Sequence, residues 1–223
     1  MLVVLSFHNP LGSWSRTFVR DDPPRRHYMS ATTFPSTAAA SNPTFSHYHE
    51  NVEWIVRPAT IDDAKQTAKL LSESFYKLLP QDYDGETLFK ALPAITTPRR
   101  QLLTCGTWYV VEHPISKDIV GCGGWTLRSP APNSTQTNLP NLRHFATHPD
   151  WTRRGIGKSL WSHTWANICN AVGEDTELEV FSTLTAEPFY ASFGFIPFKR
   201  VEIPLAKDCL FPCIIMRRES QLS

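Results

Sequence analysis

The sequence predicts a single mixed α/β (α+β) domain, a mostly antiparallel sheet of about six to seven strands flanked by about four helices, behind a disordered N-terminal extension. Three observations predict it. Apolar residues recur at three- and four-residue steps over 61–79 and again over 155–171, the period of a helix with one buried face. Short β-branched and aromatic runs, bounded by turn residues, fall between and after these stretches, some paired as hairpins. Lastly, Pro10, Pro23, Pro24, Pro35 and Pro43 break up the first 50 residues, which show no sustained period. The expected organisation is therefore an extension over 1–50, a domain over 51–218 and a short tail over 219–223.

The elements follow in order. TTFPSTAAASNPT (32–44) has a composition that cannot bury enough surface to offset its ordering entropy. WIVRPA (54–59) reads as a strand, with Thr60 a candidate cap for the helix over 61–79. On that helix Ile61, Ala64, Ala68, Leu71, Phe75 and Leu78 form the stripe. A shorter helix spans 86–95, and another runs through Arg99–Leu103 after Pro98. TWYVVE (107–112) and DIVGCGGWTL (118–127) read as a hairpin around Pro114 and Lys117. A polar, proline-punctuated loop over 129–140 leads to the strand NLRHFAT (141–147), the loop HPDWTRRG and the helix of 155–171. Its stripe is Ile156, Leu160, Thr164, Ile168 and Val172, flanked by Trp161 and Trp165. TELEVF (176–181), a short helix near 186–193 and the strand pair 195–205 and 211–218 close the domain.

Composition excludes several classes of function. Twenty-two Lys+Arg against 21 Asp+Glu give a formal charge of +1, without the basic footprint of a nucleic-acid binder. No apolar run approaches the roughly 18 residues that span a bilayer. Five cysteines, an odd number with no C-x-x-C pair, read as small hydrophobes in a reducing compartment rather than as disulfides or a metal site. MLVVLSF at the start is too short and lacks the basic lead of a secretory signal. Arg16, Arg20, Arg25 and Arg26 give 11–49 a faint likeness to an organellar transit peptide, which Asp21, Asp22 and the two central prolines spoil. The expectation is a cytoplasmic protein, monomer or homodimer, acting on something small, without nucleic-acid, membrane or metal partners.

The chemistry concentrates in TRRGIGKSL (152–160), between a strand and a helix. Gly155 and Gly157 lack Cβ atoms where the chain turns, so backbone N–H groups can approach a ligand closely. The helix dipole, Arg153, Arg154 and Lys158 add positive charge, making an anion site suited to a pyrophosphate. The Walker pattern is only half met, by Gly157-Lys158-Ser159, because Thr152 stands where its first glycine belongs. The Rossmann pattern fails because Leu160 occupies the place of its third glycine.

LRHFATHPDWTRRGIGKSLW (142–161), followed by LEVFSTLTAEPFYASFGF (178–195), resembles the GNAT superfamily of acetyl-CoA-dependent N-acetyltransferases over roughly 52–218. That family carries an R/Q-x-x-G-x-G/A loop after its fourth strand and a helix ending in a tyrosine shortly before G-F. The resemblance implies acetyl-CoA as co-substrate and no metal. It places the backbone of Phe145, Ala146 and Thr147 beside the pantetheine arm. Thr152, Arg153, Arg154, Gly155, Ile156, Gly157 and Lys158 would then wrap the pyrophosphate. Two positions depart from the pattern: Thr152 replaces the usual Gln/Arg, and Thr185 stands where many members place a cofactor-contacting Asn. Neither abolishes a site built from backbone amides.

Acetyl transfer to an amine needs a proton removed from the ammonium, donors for the oxyanion and a proton for the departing thiolate. Tyr190, four residues before Gly194, fits the family's general-acid position. A core tyrosine with a satisfied hydroxyl is the other reading. The usual base slots hold Asn141 and Arg143, neither usable. His144 is a candidate base only if a bulge overrides simple strand alternation; Glu179, Glu187 or a water chain are further possibilities. Arg143 facing the cleft would favour an acceptor carrying a carboxylate. The function expected is transfer of acetyl to a primary amine of a small molecule, by direct attack on the thioester. The alternative is a non-catalytic CoA-binding or scaffold protein with the same fold.

Overall fold

A computed structural model describes residues 54–127, 139–206 and 208–220 of the chain. The extension expected over 1–50 lies outside the described residues. Strand β1 (Ile55–Pro58) runs antiparallel to β2 (Trp108–Glu112) at one margin of the sheet, where Pro58 can close the strand without costing an interior hydrogen bond. Thr60 and Asp63 then form a capping box: Asp63 accepts from the Thr60 amide at 2.7 Å. The box launches helix α1 (Ala64–Leu78). Its buried stripe is Thr67, Leu70, Leu71, Ser74 and Phe75. This is rotated slightly from the apolar pattern, and Ile61 is exposed. Two small polar residues, Thr67 and Ser74, take buried places in it.

Helices α2 (Gly85–Ile95) and α3 (Arg100–Leu103, a single turn) follow, and Asp84 caps α2 by accepting from the Thr87 amide. Strands β2, β3 (Ile119–Thr126) and β4 (Asn141–Thr147) pair antiparallel in succession. Helix α4 (Ile156–Val172) crosses over, so that β5 (Leu178–Ser182) returns parallel to β4. Helix α5 (Glu187–Ala191) precedes the long hairpin β6 (Ile196–Ala206) and β7 (Cys209–Arg218). The seven strands lie in the order β1-β2-β3-β4-β5-β7-β6, and only β4 and β5 are parallel. This is the mixed, mostly antiparallel sheet expected.

Two apolar clusters cover the sheet. Helices α1, α2 and α3 pack on one face with Trp108, Val110, Cys122 and Phe211. Helices α4 and α5 pack on the other with Tyr109, Leu142, Phe145 and Val180. On α4 the stripe Ile156, Leu160, Thr164 and Ile168 is buried, whereas Val172 at the helix end is exposed. Cys122, Cys209 and Cys213 are buried, Cys105 is exposed, and all five cysteines are unbridged. No helix among the described residues is long and apolar enough to cross a membrane.

Two polar links tie these layers together. Arg57 grips both oxygens of Asp63 at 2.8 and 2.9 Å and reaches Glu112 at 2.9 Å, joining β1, β2 and the entry to α1. The Tyr83 hydroxyl donates to the Pro212 carbonyl at 2.8 Å and accepts from the Leu184 amide at 2.9 Å, joining the α2 entry to β7 and the turn before α5.

Two outcomes follow. Tyr83→Phe orphans the Leu184 amide and the Pro212 carbonyl, so it should lower unfolding free energy by about 1–3 kcal/mol in urea titrations. Burial works to raise the Asp63 pKa, but the hydrogen bonds from Arg57 and Thr60 outweigh it and hold the carboxyl below its usual range. Lys117 and Arg57 lower Glu112 in the same sense. Carboxyls with depressed folded pKa values stabilise above their unfolded values. Stability should therefore hold above about pH 5 and fall as the pH drops through 4 and below. Asp63→Asn should flatten that acid limb.

Candidate functional site

Strand β4 does not run straight. Ala146 pairs with Cys122 and Arg143 with Gly124, so β3 contributes Gly123 alone where β4 contributes both His144 and Phe145. Two residues facing one is a β-bulge, which bends the strand. His144 takes φ +48°, a left-handed conformation that histidine tolerates better than most residues. Gly123 is required opposite it, because a Cβ there would lie 2.5 Å from the Phe145 ring. The bulge also explains why Leu142 and Phe145, three apart, share the α4 face, with Ala146 on the other. Simple alternation would have put Leu142 and Phe145 on opposite faces.

Beyond the bulge β4 leaves its neighbour. Pairing with β5 consists of Asn141↔Glu179 and Leu142↔Val180 and goes no further. The β4 backbone over Phe145–Thr147 still bonds β3 on one side, through Cys122↔Ala146 and Gly121↔Thr147. Its other edge faces the gap between diverging strands. Such an edge can take an extended ligand as if it were another strand.

The gap leads to the glycine loop. After a turn over Pro149–Trp151, Arg153 adopts φ +64° and Gly155 φ +87°, and α4 begins at Ile156. Ser159 is the first residue whose amide closes a helical bond, to the Gly155 carbonyl at 2.9 Å. No side chain among the described residues caps this terminus. The amides of Gly155, Ile156, Gly157 and Lys158 are therefore the orphan donors of the helix start, with the positive end of its dipole behind them. They open into a depression of about 170 Å3 that Thr147, Thr152 and Arg153 also line. Arg153, Arg154 and Lys158 are all exposed at its rim. Donors, charge and volume fit a pyrophosphate.

Two aromatic walls of this depression were not legible as site residues. Trp151 lines it, with the Arg154 guanidinium 4.9 Å over its ring and His113 edge-on at 5.1 Å. Phe189 lines it from α5. The one sequence signal for Phe189 was its place beside Tyr190.

Tyr190 is wholly buried, and its hydroxyl has no hydrogen-bond partner among the described residues. It sits among Phe189, Phe195 and Phe145, ring centroids 5.2, 5.6 and 6.4 Å away. Burial pushes its phenol well above the usual value, so it stays protonated. Thr185, in the turn before α5, is buried with its hydroxyl likewise without a partner among the described residues.

His144 is 1% exposed, and neither ring nitrogen has a partner among the described residues. Burial, with the Arg143 and Arg99 charges adding to it, pulls the imidazole down to about 3. The bulge that a base role required is present, but an imidazole so reluctant to take a proton does not have the proton affinity of a general base near neutrality. Glu179 is held by Arg217 through Nε and Nη2 at 3.2 and 3.1 Å, which withdraws it from that role. Glu187 is half-buried at the start of α5. Arg143 is 6% exposed, donates to the Thr126 hydroxyl at 2.9 Å, and is lowered by burial, then by Arg99, to about 10.

The family model of an acetyltransferase (GNAT) domain matches residues 83–203, more than half of the chain. The chain belongs to the GNAT acetyltransferase family. Solved structures share its fold. A GCN5-related N-acetyltransferase from Rhodopseudomonas palustris superimposes with TM-score 0.59 at 20% identity, covering 74% of this chain and 94% of the other. The PaiA N-acetyltransferase from Thermoplasma acidophilum, solved in complex with coenzyme A, gives 0.55 at 13% identity, covering 74% and 98%. A histone acetyltransferase HPA2-related protein from Corynebacterium glutamicum gives 0.51 at 22% identity, covering 77% and 98%. No curated protein sequence matches significantly. GNAT membership and fold support acyl transfer as the general activity.

Gly155→Ala tests the loop. Space is available, since the added Cβ would meet only Trp54 at 3.9 Å, but φ +87° strains any side chain. The variant should lose about 1–2 kcal/mol of stability. A larger proportional loss in CoA affinity, read by calorimetry, would show that the amide geometry binds the ligand.

Proposed function

We propose that this protein is an acetyl-CoA-dependent N-acetyltransferase that moves an acetyl group to a primary amine of a small molecule, by direct attack of the amine on the thioester. The observation that carries the reading is the uncapped α4 terminus beside the diverging β4 and β5, with a protonated tyrosine buried behind it. Acetyl-CoA bound there supplies the activated acyl group. The amides of Gly155–Lys158 hold the pyrophosphate with help from Arg153, Arg154 and Lys158. The free backbone edge of Phe145–Thr147 aligns the pantetheine arm, and Thr185 borders it. Phe145, Phe189 and Phe195 keep water from the reacting end. Tyr190, kept protonated by burial, donates its hydroxyl to the departing thiolate, and the proton given up by the attacking amine leaves the tyrosine neutral again. His144 stays uncharged, with one ring nitrogen able to accept a hydrogen bond and the other to donate one, rather than storing a proton.

A second reading, a CoA-binding protein without turnover, draws on one specific observation: the complete burial of Tyr190 together with the weakened His144.

Coenzyme A at about 100 times its dissociation constant should stabilise the protein by about 2.7 kcal/mol, roughly 5–10 °C in melting temperature. No shift at millimolar cofactor would remove the cofactor reading. Tyr190→Phe separates the two functional readings. Removing a buried hydroxyl without a partner should leave stability equal or higher. The CoA-induced shift should persist while the acetylation rate falls about 10²-fold or more. An unchanged rate would exclude Tyr190 as the acid, and CoA binding without turnover on any amine would favour the second reading.

A further inference from the structure

The turn that leads into the glycine loop is anchored at His148, directly after β4. The backbone amide of His148 donates to the Val120 carbonyl at 2.9 Å, which ties it to β3, and its carbonyl accepts from the Trp151 amide at 2.9 Å. Its ring Nδ1 accepts from the Asp150 amide at 3.2 Å and so caps the turn Pro149–Trp151. Pro149 has no N–H, so both amides of the turn end on His148. Thr152 then donates its hydroxyl to the Pro149 carbonyl at 3.0 Å. Trp151 and Thr152 wall the depression at the start of α4. The wall of the anion loop is therefore set by what His148 holds.

The other ring nitrogen reaches a different element. Nε2 lies 3.2 Å from a carboxylate oxygen of Glu73, on α1, and alongside it Lys77 of α1 meets Asp150 of the turn at 3.5 Å. These residues, with Tyr76 and Pro149, line a groove of about 360 Å3 between α1 and the turn, so polar ties rather than close packing join the two there. The two ring contacts define the state of the imidazole. An amide donates to Nδ1 only when that nitrogen carries no proton, so the neutral ring bears its proton on Nε2 and donates it to Glu73. The side chain is 26% exposed, and water can reach it. A second proton goes to Nδ1, where it faces the Asp150 N–H with no acceptor between them. The contact with Glu73 survives that step and the cap does not.

We propose that His148 is a protonation-sensitive positioning residue for the cofactor site. Neutral, it fixes the turn to β3 and α1 and thereby sets where Trp151, Thr152 and the amides after them stand. Protonated, it releases the Asp150 amide, the loop loses that registration, and affinity for the anionic ligand falls with acidification. Charge alone has the opposite sign, since a cation gained beside the loop would draw an anion in. The charged groups around the ring are Glu73, with Lys69 beside it, and Lys77 from α1, and Asp150 from the turn. Across Trp151 stand Arg154 and His113. All of these are common to the wild type and the His148 variants, so their own titration cancels between them. The proposal rests on the loop being a coenzyme A site, but the state of the turn can be measured without ligand.

Coenzyme A affinity is measured by calorimetry between about pH 8 and about pH 5, the range in which histidines change charge, for the wild type, His148→Asn and His148→Gln. Asn places its carbonyl oxygen where Nδ1 stood and cannot be protonated there, whereas Gln reaches toward Glu73 and leaves the turn without that cap. At the alkaline end His148→Asn should bind within about twofold of the wild type and His148→Gln about fivefold more weakly, the worth of one lost cap. Toward the acid end the wild type should weaken about fivefold relative to His148→Asn, a ratio in which the ligand's own titration cancels. A ratio that stays flat, or that turns toward tighter wild-type binding in acid, overturns the proposal, as does full affinity in His148→Gln. In parallel, NMR of the ligand-free protein follows the His148 ring nitrogens and the Asp150 amide. Nδ1 should be the unprotonated nitrogen at the alkaline end, and the Asp150 amide signal should move as the ring titrates. A proton on Nδ1 there, or an Asp150 amide indifferent to the titration, also overturns the proposal. Absence of coenzyme A binding in all three proteins, with the Asp150 amide still following the ring, upholds the role of His148 in the turn and instead removes the cofactor reading.

Discussion

The bulge in β4 is the constraint on which the rest of the molecule depends. One extra residue opposite Gly123 bends the strand after Leu142. The parallel pair with β5 then opens, and a β4 backbone edge is left facing the gap. The same bend keeps Phe145 on the α4 face beside Tyr190, while Arg143 remains on the α3 face. A regular strand of the same residues would zip onto β5 and leave no entrance for a ligand. The bulge is expensive to hold. A non-glycine residue in the left-handed region costs on the order of 1–3 kcal/mol and persists only where the surroundings over-determine it. Here those surroundings are the glycine across the ladder, the Phe145 ring beside it, and a wholly buried strand.

Strain and unsatisfied groups gather around this one place. His144, Asn141, Thr185 and Tyr190 are buried with polar atoms that have no partner among the described residues. Each such group costs about 1–3 kcal/mol relative to a bonded one. Folded domains hold only a small stability margin, so a cluster of this kind stands out from a core designed for packing alone. Much of the remaining framework counteracts it. Arg57 joins β1, β2 and α1, and Tyr83 fixes the turn before α5 to β7. Both links lie outside the gap, and both secure elements that border it.

The two faces of the sheet divide the labour. On the α4 face, amides, exposed cations and aromatic walls suit a large anionic ligand. On the α3 face, Arg143 is buried in line with Gly124 and Trp108. The bulge is the place where the faces communicate, because the strand there presents consecutive residues to both.

Much of this was legible in the sequence of residues 141–195 alone. The loop over 152–158 could be read because its chemistry is local: glycines set the turn, and the helix start supplies the amides whatever packs around it. Helix and strand positions were legible for the same reason, since periodicity records which face is buried. Tyr190 was picked out through its motif, with burial as its other reading, but a buried hydroxyl without a partner among the described residues was not foreseen. The place of His144 could not be decided, because alternation gives one answer and the bulge another, and the residue that selects the bulge, Gly123, belongs to a different strand. The same holds for Glu179 being held by Arg217, and for Phe189 and Trp151 walling one depression. The sequence by itself determined the elements, the glycine loop before its helix and the family, because these rest on propensities and spacings within short windows. Only the tertiary structure decided which side chains face the gap and how their charges shift, because pairing across strands and burial depend on residues far apart in the chain.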